Sequence, residues 1–451
     1  MKISEYRLPK AAWYVLGAML LIVTHAWLIQ PVLQNGDAAV YNEQIECHVI
    51  DVRTTHVGYM LLGIVANHVL PFDVERNLNV MALLFAALGG VSLYVIAVRL
   101  GASQWQALFA PLIAFGLKPF LRGAVLAEVD VVACGLILLA TAASVSGKAQ
   151  LSAVAFGAGM LVTPLSALTL PVFLLTISGQ IEDKLSIRRR LQRIAIFAGV
   201  SLVTYLPLVL LHWNDYWNAG RGLLHAPSEP WNLAEQVGRS VQFFASIPGA
   251  LLAISLFGLI ATIPAGRSLA RGTAASILLA AVIGERFLDV PVQLPQLCLL
   301  VAFAVSFLGR IPRRAVATVA LFSVWLVTAP PAYAAVTAEI RDRVQRRAEY
   351  LEMARQTPRL FAVGLPSSWD DGLPFERLTY GKTKLGFGLD FGQFGRSSRT
   401  IARTHRDHAI WLMSPPGPTT MNDFRSHWHA ELREVAGNRY EVWLPNDHPL
   451  P

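Results

Sequence analysis

Apolar runs separated by short polar segments dominate the chain, and the polar segments carry most of its charge. A run of about 20 apolar residues crosses the hydrocarbon core of a bilayer. Runs over 11–30, 77–99, 105–120, 130–146, 194–211, 241–263, 272–284, 293–309 and 314–335 are read as spans. Residues 150–178 are also apolar but contain Pro164 and Pro171. Proline removes a backbone donor and breaks a helix unless neighbours compensate, so two short spans are expected there, with a break near Thr163-Pro164. Residues 57–71 are shorter and hold Asn67 and His68, and a helix lying at the interface is expected. The pattern predicts an α-helical polytopic membrane protein of about eleven spans.

The polar segments have distinct characters. Residues 31–56 are polar in character, and Lys118, Arg122, Glu128 and Asp130 mark a short polar turn. Residues 182–193 form a strongly basic loop, and 212–240 a long loop with Trp213, Tyr216, Trp217 and Trp231, side chains suited to headgroup depth. The tail, 337–451, is a different material. Glu339 to Arg355 is charged and helical in character, 359–363, 409–413 and 440–444 read as strands, and 424–435 reads as a helix. The division expected is a membrane domain over 1–336, with a loop at 31–76, followed by a small α/β carboxy-terminal domain over 337–451.

Composition narrows the class. Of 451 residues, 54% are hydrophobic and 15% charged, against about 25% charged in an average soluble protein. Mean hydropathy is +0.46. A soluble enzyme is excluded. The net charge of +8 does not call for nucleic acid, because the basic residues sit in short loops where they set orientation. With the amino terminus cytoplasmic, Lys2, Arg7, Lys10, Arg99, Lys148, the 182–193 cluster, Arg267, Arg271, Arg310, Arg313 and Arg314 fall on the cytoplasmic side. The stretch 31–76, the Glu128 turn, the 212–240 loop and the tail then share the outer face of the inner (plasma) membrane. Lys2, Arg7 and Lys10 precede the first run without a small-x-small cleavage site, so it is read as a retained helix. Cys47, Cys134 and Cys298 form neither a disulfide framework nor zinc spacing.

Candidate chemistry gathers on that outer face. Asp37 in Gly36-Asp37-Ala38-Ala39-Val40-Tyr41 suits a helix cap and equally a general base beside the bilayer. His56 precedes Val57-Gly58-Tyr59, and the tyrosines Tyr41 and Tyr59 are candidate substrate-binding groups. Glu128 and Asp130 open an apolar helix whose dipole favours carboxylates. They are also the oxygen ligands a divalent cation would seek, a weak metal signal on their own. Arg286 stands where it could hold a lipid phosphate or pair with Glu285 or Asp289. The sequence has no P-loop, dinucleotide fingerprint or nucleophile elbow, so an activated substrate is expected to arrive within the membrane.

This ordered set resembles the GT-C superfamily of membrane glycosyltransferases, and within it the bacterial relatives of protein O-mannosyltransferases and the aminoarabinose transferases of lipid A. Gly36 to Tyr41 is similar to their acidic residue after the first helix. His56-Val57-Gly58-Tyr59 is similar to their His-Pro-Pro segment without the prolines. Ala127-Glu128-Val129-Asp130, the 157–171 broken pair and Arg286-Phe287 to Pro291 resemble later elements. The resemblance covers roughly residues 10–335. It implies inverting transfer of a sugar from a polyprenyl-phosphate donor to an extracytoplasmic acceptor, left open among glycan, lipid and protein. It makes Asp37 the base, lets Glu128 and His56 position acceptor or donor, and gives Arg122 and Arg286 the charge of the departing phosphate. A flippase of a lipid-linked sugar and a non-catalytic envelope scaffold are the competing readings. Transporters favour internal repeats and midplane binding groups, and neither is seen in this sequence.

Overall fold

A computed structural model of the protein describes residues 10–32, 38, 41–42, 44–45, 56–178, 187–211, 213, 233–245, 247–283 and 293–356, Ser426, and the strand segments at 360–363, 383–385, 409–412, 431–436 and 439–443. The chain divides into two compact units, one of Met1–Gln30 and Gln44–Glu339, the other of Pro31–Glu43 and Ile340–Pro451.

The first unit is helical. Helix α1 (Lys10–His25) runs into a 3-10 turn, Ala26–Leu28. Helix α2 (Val57–Val69) is short, as its sequence suggested. Asp73 then caps α3 (Val74–Arg99), its carboxylate accepting from the Arg76 amide at 2.9 Å. Ser103 and Gln106 form a capping box that opens α4 (Gln104–Ala107), which leads into α5 (Phe109–Phe115). After a bend of 73°, α6 (Lys118–Val125) follows. This corrects the expected polar turn. Pro119 is at home in a first helical turn, and Phe120, Leu121, Ala124 and Val125 are buried while Lys118 is exposed, so a short amphipathic helix forms.

Helix α7 (Val129–Val145) is followed by α8 (Ala149–Val162), a 3-10 segment (Pro164–Thr169) and α9 (Leu170–Ser178). The break falls where proline was expected to put it: Thr163 is extended, with φ −148° and ψ 124°, the conformation proline favours in the residue before it. Helix α10 (Ile187–Leu211) starts within the expected basic loop, because the arginines continue a helical run instead of ending one. Helix α11 (Leu233–Ala245) occupies the end of the expected 212–240 loop. Helices α12 (Gly249–Ile260), α13 (Arg267–Ile283) and α14 (Leu294–Gly309) complete the bundle with α15 (Arg314–Gln356), which belongs to this unit as far as Glu339. Helix α15 does not stop near 335; its charged second half continues the same helix. By length and composition, among the described residues, α3 and Arg314–Ala348 of α15 can cross a membrane, and the bent α4–α6 pair makes three. Helices α2, α7, α8, α12 and α14 are apolar and 10–17 residues long.

Helix α3 is central, packing on α7, α1, α2, α5 and α14. Its contact with α7 is backbone to backbone: a Cβ on Gly135 would stand 2.2 Å from the Phe85 carbonyl oxygen. Small residues permit such approach where lipid offers no hydrophobic drive to associate. A cation ties two helix ends together. Arg310 donates through Nη1 to the Ala261 carbonyl at 2.6 Å and through Nη2 to the Leu100 carbonyl at 3.2 Å, closing the carboxyl ends of α12 and α3. Ser306 accepts from Nη2 at 3.1 Å and donates to Leu100 at 2.6 Å. Hydrogen bonds from charged donors contribute about 1.5–3 kcal/mol each, and the positive charge also suits the negative ends of two helix dipoles. Arg310→Ala is expected to lower the thermal midpoint in detergent by several degrees; an unchanged midpoint would show that the clamp is idle.

The second unit holds strands β1 (Leu360–Val363), β2 (Thr383–Leu385), β3 (Ala409–Leu412), β4 (Glu431–Ala436) and β5 (Arg439–Trp443), in sheet order β2-β1-β3-β5-β4. Strand β1 pairs in parallel with β2 and β3, and β5 pairs antiparallel with β3 and β4. The expected strands near 359–363, 409–413 and 440–444 are present. The helix expected over 424–435 is corrected at its end, where Glu431–Ala436 is a strand. Gly437-Asn438 between two short runs is a hairpin signal, and the β4–β5 pairing follows it.

Candidate functional site

Three pieces of the helical unit converge: the start of α2, the end of α8 and the turn between α6 and α7. His56 stands at the amino-terminal cap of α2, its Nδ1–H donating to the Val162 carbonyl at 2.8 Å. That carbonyl is at the last residue of α8, before the Thr163-Pro164 break. Two residues on, Gly58 lets the same helix end pass, since a Cβ there would lie 2.6 Å from the Leu161 carbonyl carbon. Tyr59 is fully buried and its hydroxyl donates to the Ala127 carbonyl at 3.1 Å. Burial, and after it the negative charge of Glu128, hold this phenol above its ordinary range, so Tyr59 stays a donor. A single turn of α2 thus grips two other parts of the bundle. Its thirteen residues rise only about 20 Å, less than a bilayer core.

Ala127 has φ +48°, in the left-handed region where a Cβ meets the following carbonyl at a cost of about 1 kcal/mol. Strain of this kind persists where surrounding contacts over-determine the backbone, and the Tyr59 hydrogen bond is one such contact. The turn sets Glu128 at the amino-terminal cap of α7, yet its side chain makes no capping hydrogen bond. The carboxylate is therefore held in the positive field of the helix end while turned to other partners. It is buried, 7% exposed, with Oε1 4.0 Å from Arg122 Nη1.

Arg122, on α6, is 27% exposed. Its Nε–H is shared by both carboxylate oxygens of Glu339 on α15, at 2.9 and 3.0 Å. Among the described residues its Nη1 and Nη2 groups make no hydrogen bond, although they carry four of the five guanidinium donors. Among the described residues the cluster sets one cation, Arg122, between two carboxylates, with charge-assisted donors left over of the kind that bind phosphate well.

The structure brings Tyr59, Glu128 and Arg122 together and seats His56 one turn from them along α2. Asp130 lies in the first turn of α7, half-buried. Among the described residues no group of three or more His, Cys, Asp or Glu stands ready to hold a metal ion; a cation at Glu128 and Asp130 would need further ligands. Tyr41 is buried and belongs to the other unit. Asp37 and Arg286 lie outside the described residues, as do Arg53, Glu285 and Asp289. Glu339 escaped sequence reasoning. The signal in the sequence is an acid among small and apolar residues at Thr337-Ala338-Glu339-Ile340, just past the end near 335 expected for the last span.

No family model matches the sequence, and no curated protein matches it in sequence. Solved structures do match. The crystal structure of ArnT from Cupriavidus metallidurans in the apo state superposes with a TM-score of 0.62 at 15% identity, over 96% of this chain and 98% of that one. The chain shares the ArnT fold. ArnT from the same organism bound to undecaprenyl phosphate gives a TM-score of 0.63 at 14% identity, over the same shares of the two chains. ArnT is an aminoarabinose transferase of GT-C type, so the GT-C-like fold expected from the sequence is the fold found.

Proposed function

We propose that the protein is a multi-pass inner-membrane glycosyltransferase that moves a sugar from a polyprenyl-phosphate carrier to an acceptor hydroxyl on the outer face, with inversion. The observation that carries this reading is the Arg122–Glu128 cluster, whose Nη donors are unbonded among the described residues, on a fold shared with a protein solved bound to undecaprenyl phosphate. In the reaction the acceptor oxygen forms a bond to the anomeric carbon while that carbon's bond to phosphate oxygen breaks. The acceptor proton goes to Asp37, and the electron pair leaves with polyprenyl phosphate. Arg122, with Arg286, offsets the charge that grows on the leaving phosphate, an electrostatic contribution that is often the largest in catalysis. Glu128 accepts from substrate hydroxyls. His56, held by the hydrogen bond that its Nδ1–H donates to the Val162 carbonyl, positions acceptor or donor. Tyr59 acts through the Ala127 turn that its hydroxyl holds, and Tyr41 is a substrate-binding residue.

The reading is tested by reconstituting the full chain in liposomes with a radiolabelled sugar on polyprenyl phosphate and following label into glycan, lipid and protein fractions. Transfer into one fraction with release of polyprenyl phosphate is expected. Translocation of the intact lipid-linked sugar without cleavage would assign a flippase instead.

A further inference from the structure

We infer that Glu339 is a positioning residue: it aims Arg122 and keeps that guanidinium from collapsing onto Glu128. The inference rests on the reading of Arg122 as the phosphate-binding group. Among the described residues two carboxylates, Glu339 and Glu128, face the same cation. Glu339 holds Nε through both oxygens, at 2.9 and 3.0 Å, and the planar guanidinium is thereby fixed in orientation. The edge opposite carries the Nη donors. The nearest oxygen of Glu128 is 4.0 Å from Nη1, beyond hydrogen-bond reach but within a small side-chain rotation of it. Glu128 is the more buried of the two acids, at 7% against 22% exposed, and a buried carboxylate attracts a neighbouring cation more strongly than an exposed one. Without Glu339, Arg122 would swing to Glu128 and form the bidentate pair that arginine favours. That one movement would consume the donors meant for phosphate and occupy the carboxylate meant for substrate.

Positioning and simple charge balance predict opposite effects of losing Glu339. Removing a negative charge from the neighbourhood of an anion site strengthens anion binding by Coulomb's law alone. Loss of positioning weakens it. The test is a titration of the purified full chain in detergent with undecaprenyl phosphate, using undecaprenol as the phosphate-free control. Glu339→Gln is expected to weaken undecaprenyl phosphate binding by about tenfold or more and to leave undecaprenol unchanged. In an Arg122→Ala background it should add nothing. Glu128→Gln, combined with Glu339→Gln, should restore part of the lost affinity by removing the competitor.

Unchanged or tighter binding by Glu339→Gln would overturn the inference, and so would further weakening in the Arg122→Ala background. If Arg122→Ala itself binds undecaprenyl phosphate like wild type, the phosphate role of Arg122 falls, and this inference with it. Should Glu339→Gln not yield folded protein, Glu339→Asp keeps the charge but withdraws the acceptor by one methylene. It is expected to show the same phosphate-selective weakening, and wild-type affinity would count against positioning.

Discussion

Asp37→Asn is expected to reduce sugar transfer by about 10³-fold, within the 10²–10⁴ range that positioned general bases contribute, while leaving donor binding near its wild-type value. The substitution separates two roles that the sequence alone assigns to Asp37. Asparagine caps a helix about as well as aspartate, so a capping role predicts little change in stability or in transfer. A base role predicts a collapse in turnover alone, because the amide cannot take the acceptor proton. The measurement is single-turnover transfer of labelled sugar at matched protein, together with the thermal midpoint. Equal transfer by the two proteins would remove Asp37 from the reaction and leave it a cap.

Glu128→Gln is expected to cost about 10²-fold in turnover, the size of effect that misplacing a reacting group produces, with a thermal midpoint equal to or above wild type. Burial sets the two effects apart. A carboxylate at 7% exposure bears a desolvation cost that an isosteric amide avoids, and Glu128 spends nothing on capping its own helix. Its cationic neighbour keeps a partner, since Arg122 remains bound to Glu339. Stability and activity should therefore move in different directions. A midpoint that falls in step with activity would make Glu128 a structural residue.

Sequence reading succeeded where one residue type dictates the backbone. Pro164 makes a helix stop at Thr163, and the short apolar run after His56 allows only a short helix. It erred where charges were treated as loop markers. Lys118 and Arg122 sit on one face of a helix whose other face is apolar, and the arginines near 188–193 ride on the start of α10; long basic side chains can leave a helix in place and carry only their heads to water. The same habit ended α15 too early. At the site, His56, Tyr59, Glu128 and Arg122 were legible as polar groups with no business among apolar runs. Their geometry was not. The Arg122–Glu339 pair joins positions 217 apart, and no local period reports such a distance. Ala127 gives no warning at all, because alanine is not a residue that advertises a positive φ.

The Arg310 clamp bears on how the protein is made. Leu100 ends α3 with a carbonyl whose cationic partner is encoded 210 residues later. At roughly 5–20 residues per second, the ribosome needs about 10–40 s to supply it. Throughout that interval the earlier helices are already in the membrane, held by packing and by no such tie. The insertion machinery thus handles an open bundle whose two helix ends are stitched together by one of the late-arriving side chains, and chains truncated before residue 310 should be the ones that membrane proteases remove.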